Sequence, residues 1–162
     1  MKYDEYKKLV EEYDSTDSIS RREEIEDKVF DISVALVKGL ERMYNSFGGS
    51  FIDDDEYRSD RGGFSLREFG CDRVLLIYSD RWQYGGECSF GVSVPMNMLD
   101  VENRLAKMRS LRDSQIEKLK RKHYENELII GRLAKENDEI TQKIAQLEHD
   151  RDNDPNYVKP EN

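Results

Sequence analysis

A heptad repeat in the last third of the chain constrains its fold more than any other feature. With Ile116, His123, Ile130, Asn137 and Ile144 at position a, residues Leu119, Asn126, Leu133, Ile140 and Leu147 fall at position d. Isoleucine at a with leucine at d favours a parallel two-stranded coiled coil, and one asparagine at an a position sets register and strand number at some cost in stability. In such a pair, position g faces position e of the next heptad on the other helix. Lys122 then meets Glu127 and Lys143 meets Glu148, both attractive, while Ile129 meets Ala134 and Glu136 meets Thr141. Each exposed ion pair contributes only about 0–1 kcal/mol, but all favour one register. His123 and Asn126 put two polar groups near the start of the seam. Gly131 costs about 1 kcal/mol of helix propensity relative to alanine. The ten a and d residues are the candidate dimerisation set. The competing arrangement is a hairpin in which this helix packs on a helix at residues 21–45.

The composition suits long, exposed helices. Hydrophobic residues make up 36% of the chain and charged residues 38%, against about 45–50% (glycine included) and about 25% in ordinary globular domains. No apolar run approaches the roughly 20 residues that span a bilayer. Residues 1–30 are too acidic and polar for a secretory signal. The expectation is a cytoplasmic protein with no membrane contact. Cys71 and Cys88 lack metal-ligand spacing and read as two reduced, buried thiols.

The elements follow from periodicity. Tyr3, Tyr6, Leu9, Val10 and Tyr13 predict a helix over 2–14. Ser20 with Glu23 forms a candidate capping box ahead of a helix over 21–45, whose stripe is Ile25, Val29, Ile32, Leu36, Leu40 and Met43, extended by Phe47. Gly48 and Gly49 stop it. The period then falls to two, and glycines punctuate residues 50–95. This predicts an antiparallel meander of three strands, with a fourth near Phe51. Pro95 closes the last strand, and helix resumes from 96. Met98, Val101, Leu105 and Met108 form a stripe expected to be buried against the sheet. Eleven residues separate Leu105 from Ile116, so the repeat slips there. Ser114 and Glu117 offer a second capping box, and a bend or break is expected near Asp113. The expected fold is therefore α+β. An α+β body at 1–112 carries a small meander packed on N-terminal helices, a long coiled-coil helix occupies 113–150, and a polar, disordered tail follows at 151–162.

No catalytic constellation emerges, and neither a metal site nor a cofactor is expected. The acidic run Asp53, Asp54, Asp55 and Glu56 lacks the spacing of a calcium loop and reads as a solvated loop. The meander contains no lysine, which removes a common metal-nuclease pattern. His123 and His149 stand alone on the long helix. The expected role is protein binding, not enzymatic catalysis. Net charge is −9, so the acidic run is a candidate surface for a basic partner. Arg81, Trp82 and Tyr84 join it as a candidate partner-binding set, because arginine and aromatics beside a turn are enriched at binding hot spots.

One stretch has the opposite charge. Between residues 104 and 123, Arg104, Lys107, Arg109, Arg112, Lys118, Lys120, Arg121 and Lys122 face only Asp113 and Glu117, a net of +6. These eight cations are the candidate nucleic-acid contacts of an alternative reading. Asn103, Arg104, Ala106, Arg109 and Ser110 resemble a basic-leucine-zipper stem over about ten residues. The pattern fails at Lys107, where that family has alanine, and at Leu111, where it has arginine. A second resemblance covers residues 82–99. Trp82-Gln83-Tyr84-Gly85-Gly86-Glu87, then Val92-Ser93-Val94-Pro95 and Leu99, is similar to a strand–turn–strand–proline–helix segment of uncharacterised small bacteriophage proteins. That resemblance implies a phage accessory protein that binds and blocks a host protein, and it supplies no catalytic residues.

Overall fold

The structure is a computed structural model. It describes residues 1–54, 57, 62–81 and 87–154, with Arg81 described by its backbone only. The chain divides into two compact units, Met1–Ser114 and Gln115–Asn162.

The first unit opens with α1 (Tyr3–Ser15) and α2 (Ile19–Asn45). Three strands follow, β1 (Gly63–Phe69), β2 (Arg73–Arg81) and β3 (Glu87–Pro95). They form an antiparallel meander in the order β1-β2-β3. A single 3-10 turn (Met96–Leu99) and Asp100 lead into α3 (Val101–Asp152). This is the α+β arrangement that the periodicities predict.

The core is built on the inward face of β2. Period-two alternation sends Val74, Leu76, Tyr78 and Asp80 to one side, and all four are buried. Val92 and Val94 of β3 lie opposite Leu76 and Val74. From α1 come Tyr6, Leu9 and Val10, and from α2 Ile25, Val29, Leu36, Val37 and Leu40. The buried face of α2 also includes Ser33, whose hydroxyl donates to the Val29 carbonyl at 2.7 Å. That bond satisfies the one polar group on this face at no cost to any other residue. Tyr78 is boxed in by the rings of Tyr57, Phe64 and Phe90, with centroids 5.1–5.5 Å away.

Polar contacts join the helices to the sheet and to each other. The Tyr6 hydroxyl donates to the Gly70 carbonyl at 2.7 Å, and burial pushes its pKa well above the ordinary tyrosine value. The Tyr3 hydroxyl donates to Asp72 at 2.8 Å. Arg21 donates two hydrogen bonds to Glu12 of α1, at 2.7 and 3.1 Å, and a third to Glu24 at 2.8 Å. This fork fixes α1 against α2 across a three-residue connection. Hydrogen bonding to the Arg21 guanidinium holds the Glu12 carboxyl below its ordinary pKa.

Five local expectations need correction. The N-cap of α2 is Ser18, which accepts from the Arg21 amide at 3.3 Å, so the helix starts at Ile19 and the Ser20–Glu23 box does not form. No strand forms at Phe51, because the Phe51 and Ile52 amides donate to the Glu41 carboxylate at 2.8 and 3.2 Å. Those amides are satisfied by α2 instead of by a neighbouring strand. Of the bend or break expected near Asp113, the break does not form, because α3 is one helix through Asp113 and Ser114. Met98 and Met108 are half-buried while Val101 and Leu105 are exposed, so this stripe is not buried as expected. Of the two cysteines, Cys88 is buried and Cys71 is exposed.

Two glycines test this packing with opposite signs. A Cβ at Gly62 would lie 2.0 Å from the ring of Tyr78, which is fully buried and has no room to move. Gly62→Ala should destabilise by about 1–3 kcal/mol. A Cβ at Gly39 in α2 meets nothing within 4 Å, so Gly39→Ala should stabilise by about 0.5–1 kcal/mol. Urea unfolding measures both. A second prediction concerns pH. Because the folded-state pKa of Glu12 is depressed, the stability it lends is fully present above the unfolded carboxylate value. It is lost as pH falls through the lowered value. Arg21→Met should therefore lower Tm at pH 7, and the gap from the parent should close near pH 3; an unchanged gap would mean that Arg21 acts through packing alone.

Candidate functional site

The second unit presents the most distinctive surface. Its helical part, residues 115–152 of α3, rises about 57 Å at 1.5 Å per residue. The helix is held locally by ion pairs one turn apart. Arg132 reaches Glu136 at 3.7 Å, Lys135 reaches Glu139 at 4.0 Å, and Lys120 reaches Glu117 at 2.9 Å. Such pairs contribute roughly 0.2–0.5 kcal/mol each. Gly131 sits at position b of the heptad frame, off the a and d stripe, and costs helix propensity there.

All ten seam positions lie on one face of this helix and all are exposed in the single chain. Among them Leu119 is 61%, Ile130 64% and Leu147 59% exposed. Ile129 at g is also exposed and widens the apolar stripe. No residue of α3 is buried. A single helix cannot cover its own stripe, so among the described residues of this unit nothing shelters the seven isoleucine and leucine side chains. The two polar layers, His123 and Asn126, lie between Leu119 and Ile130. His123 Nε2 stands 3.4 Å from Glu127 Oε1, one turn further along.

The other candidates are only partly described. Asp53 and Asp54 are exposed just after the segment held by Glu41. Asp55, Glu56, Trp82 and Tyr84 lie outside the described residues, as does the side chain of Arg81, whose backbone pairs with Glu87. Within the basic stretch, Arg104 donates to the Met98 carbonyl at 3.2 Å and Lys107 sits 5.5 Å over the Tyr44 ring. Lys120 is held by Glu117. Arg109, Arg112, Lys118, Arg121 and Lys122 are exposed. Lys118, Arg121 and Lys122 occupy positions c, f and g, so the cations encircle the helix and do not form one stripe.

The first unit adds one polar feature that sequence reasoning overlooked. Asp80 is 3% exposed, and its Oδ2 has no hydrogen-bond partner among the described residues. It lies across the sheet from Cys88. Strict alternation from Val74 through Leu76 and Tyr78 already placed it on the core face, and that signal could have found it. An open apolar groove of about 780 Å³ also runs between α2 and the first turns of α3, lined by Ile32, Leu36, Met43, Leu105 and Met108. Among the described residues, no group of three or more histidine, cysteine or acidic side chains comes together, and no helix is long and apolar enough to cross a membrane. No known protein family, curated protein or solved structure matches the chain.

Proposed function

We propose that this protein is a non-enzymatic interaction protein that pairs with a second copy of itself through the α3 seam. The observation that carries the pairing is the exposure of seven isoleucine and leucine side chains at heptad spacing on a helix with no cover in its own unit. Fully burying one such side chain is worth about 1.5–3 kcal/mol. Parallel pairing aligns Lys122 with Glu127 and Lys143 with Glu148 and sets Asn137 against its own copy. The acidic body, with Asp53 and Asp54 exposed, would meet a basic surface on a host protein. On this reading the dimer is an inhibitor or adaptor of a phage or mobile element, a role supported by the resemblance over residues 82–99. No catalytic residue or cofactor has a part in it.

The exposed cations Arg109, Arg112, Lys118, Arg121 and Lys122 favour a second reading, in which paired stems contact nucleic-acid phosphates. Their spread around the helix suits non-specific contact better than base readout.

Light scattering after size exclusion tests the pairing. The expected mass is about 38 kDa, twice the 19.1 kDa of one chain. The double variant Ile130→Asp, Leu133→Asp should run at 19.1 kDa with its helix content retained. A parent chain that stays at 19.1 kDa at every concentration would remove the dimer. The second reading is decided by salt. The protein-binding reading expects no duplex binding at about 150 mM salt, whereas phosphate contact gives an affinity that falls linearly with salt on logarithmic axes.

A further inference from the structure

The two polar layers are the one part of the seam that pairing alone leaves unexplained. Asn137 suffices as a register device, so His123 and Asn126 would add two more costly layers. Burying imidazoles without partners is unfavourable. Glu127 changes this picture. It follows His123 by one turn on the same helix face, with Oε1 3.4 Å from Nε2. Both groups are exposed in the single chain, at 76% and 61%. One chain therefore offers a two-donor set of one imidazole and one carboxylate. Two donors are too few to hold a metal, which is why His123 reads as isolated in the sequence.

Two-fold symmetry doubles the set. In a parallel, in-register pair each a residue faces its own copy. Two imidazoles then meet across the axis, and the carboxylates at position e flank them from opposite sides. We infer that the paired helix binds one divalent transition-metal ion, of the zinc class, through His123 and Glu127 of both copies. This inference rests on the dimer proposed above.

The donor chemistry supports the choice of ion. Two neutral imidazoles and two carboxylates give four nitrogen and oxygen ligands, the number and type that Zn²⁺ takes in tetrahedral sites. Imidazole donors select borderline transition metals over calcium or magnesium. The two carboxylate charges match the charge of the ion, so the buried assembly is neutral. Lys122 of the second copy is the other claimant on Glu127, so metal binding displaces an exposed ion pair worth little.

The test uses the full chain, stripped with EDTA and titrated with ZnCl₂ by calorimetry, with the mass followed by light scattering. The expected result is one zinc ion per two chains. His123→Ala should weaken binding by at least about tenfold, the lower bound for losing even an outer partner of a metal ligand. Glu127→Gln should weaken it as well. His149→Ala, which alters the other histidine, should leave binding unchanged. Replacing His123 removes a polar layer, so the metal-free dimer of His123→Ala should be no weaker than the parent, and loss of zinc then cannot be loss of pairing. Mass without zinc judges the dimer, and stoichiometry judges the site. A dimer that binds no zinc, binds one per chain, or binds equally well after His123→Ala overturns the site alone. A monomer with or without zinc overturns both. A monomer that pairs only when zinc is added upholds the site and makes the metal, not the apolar stripe, the cause of pairing.

Discussion

The inward face of β2 is the constraint on which the body depends. Val74, Leu76 and Tyr78 are fully buried, and each is fixed by elements distant in sequence. β3 pairs with β2 along its whole length, from Arg73–Pro95 to Arg81–Glu87. On the other side β1 follows the same strand but slips between Leu66 and Glu68. Such a bulge bends and twists an edge strand away from further pairing. The helices then need only cover one face, and α2 does so with one stripe. The remaining polar contacts, from Tyr6 to Gly70 and from Arg21 to Glu12, set where the helices sit on that face.

The second unit has the reverse economy. Its helix satisfies its backbone internally, and its charges pair one turn apart, but none of its described residues covers its apolar stripe. The body therefore buries its apolar face within one chain, and the described part of α3 beyond Ser114 leaves its stripe exposed. The same distinction separates their polar residues. Ser33 in the core donates to its own helix, whereas His123, Asn126 and Asn137 are exposed on α3, with His123 3.4 Å from Glu127 of the same helix.

The parts legible in the sequence were those set by period. The 3.6-residue stripe of α2 and the period-two strands express which face is buried, the heptad spacing of α3 marks a long helix whose stripe is exposed, and the fold class follows from them. The helix ends were less legible, because Ser18 and Ser20 are equally good caps and the choice depends on where Arg21 must reach to hold Glu12. The strand expected at Phe51 was lost to Glu41, a carboxylate ten residues away that no local pattern marks. Val101 and Leu105 carry a helical stripe, but spacing alone does not say whether a surface lies beneath it, and there they are exposed. His123 reads as isolated in the sequence for a related reason, since one chain would not contain the ligands that the proposed two-fold pairing would supply.

Gly62 bears on descent. Its hydrogen is the only side chain that fits against the boxed ring of Tyr78, so drift at either position is penalised through the other. Ser33, satisfied within its own helix, is free to become alanine without orphaning a neighbour. The outward heptad positions vary under no packing penalty at all. The close fit of Gly62 to Tyr78 thus couples a position ahead of the first strand to the centre of the second.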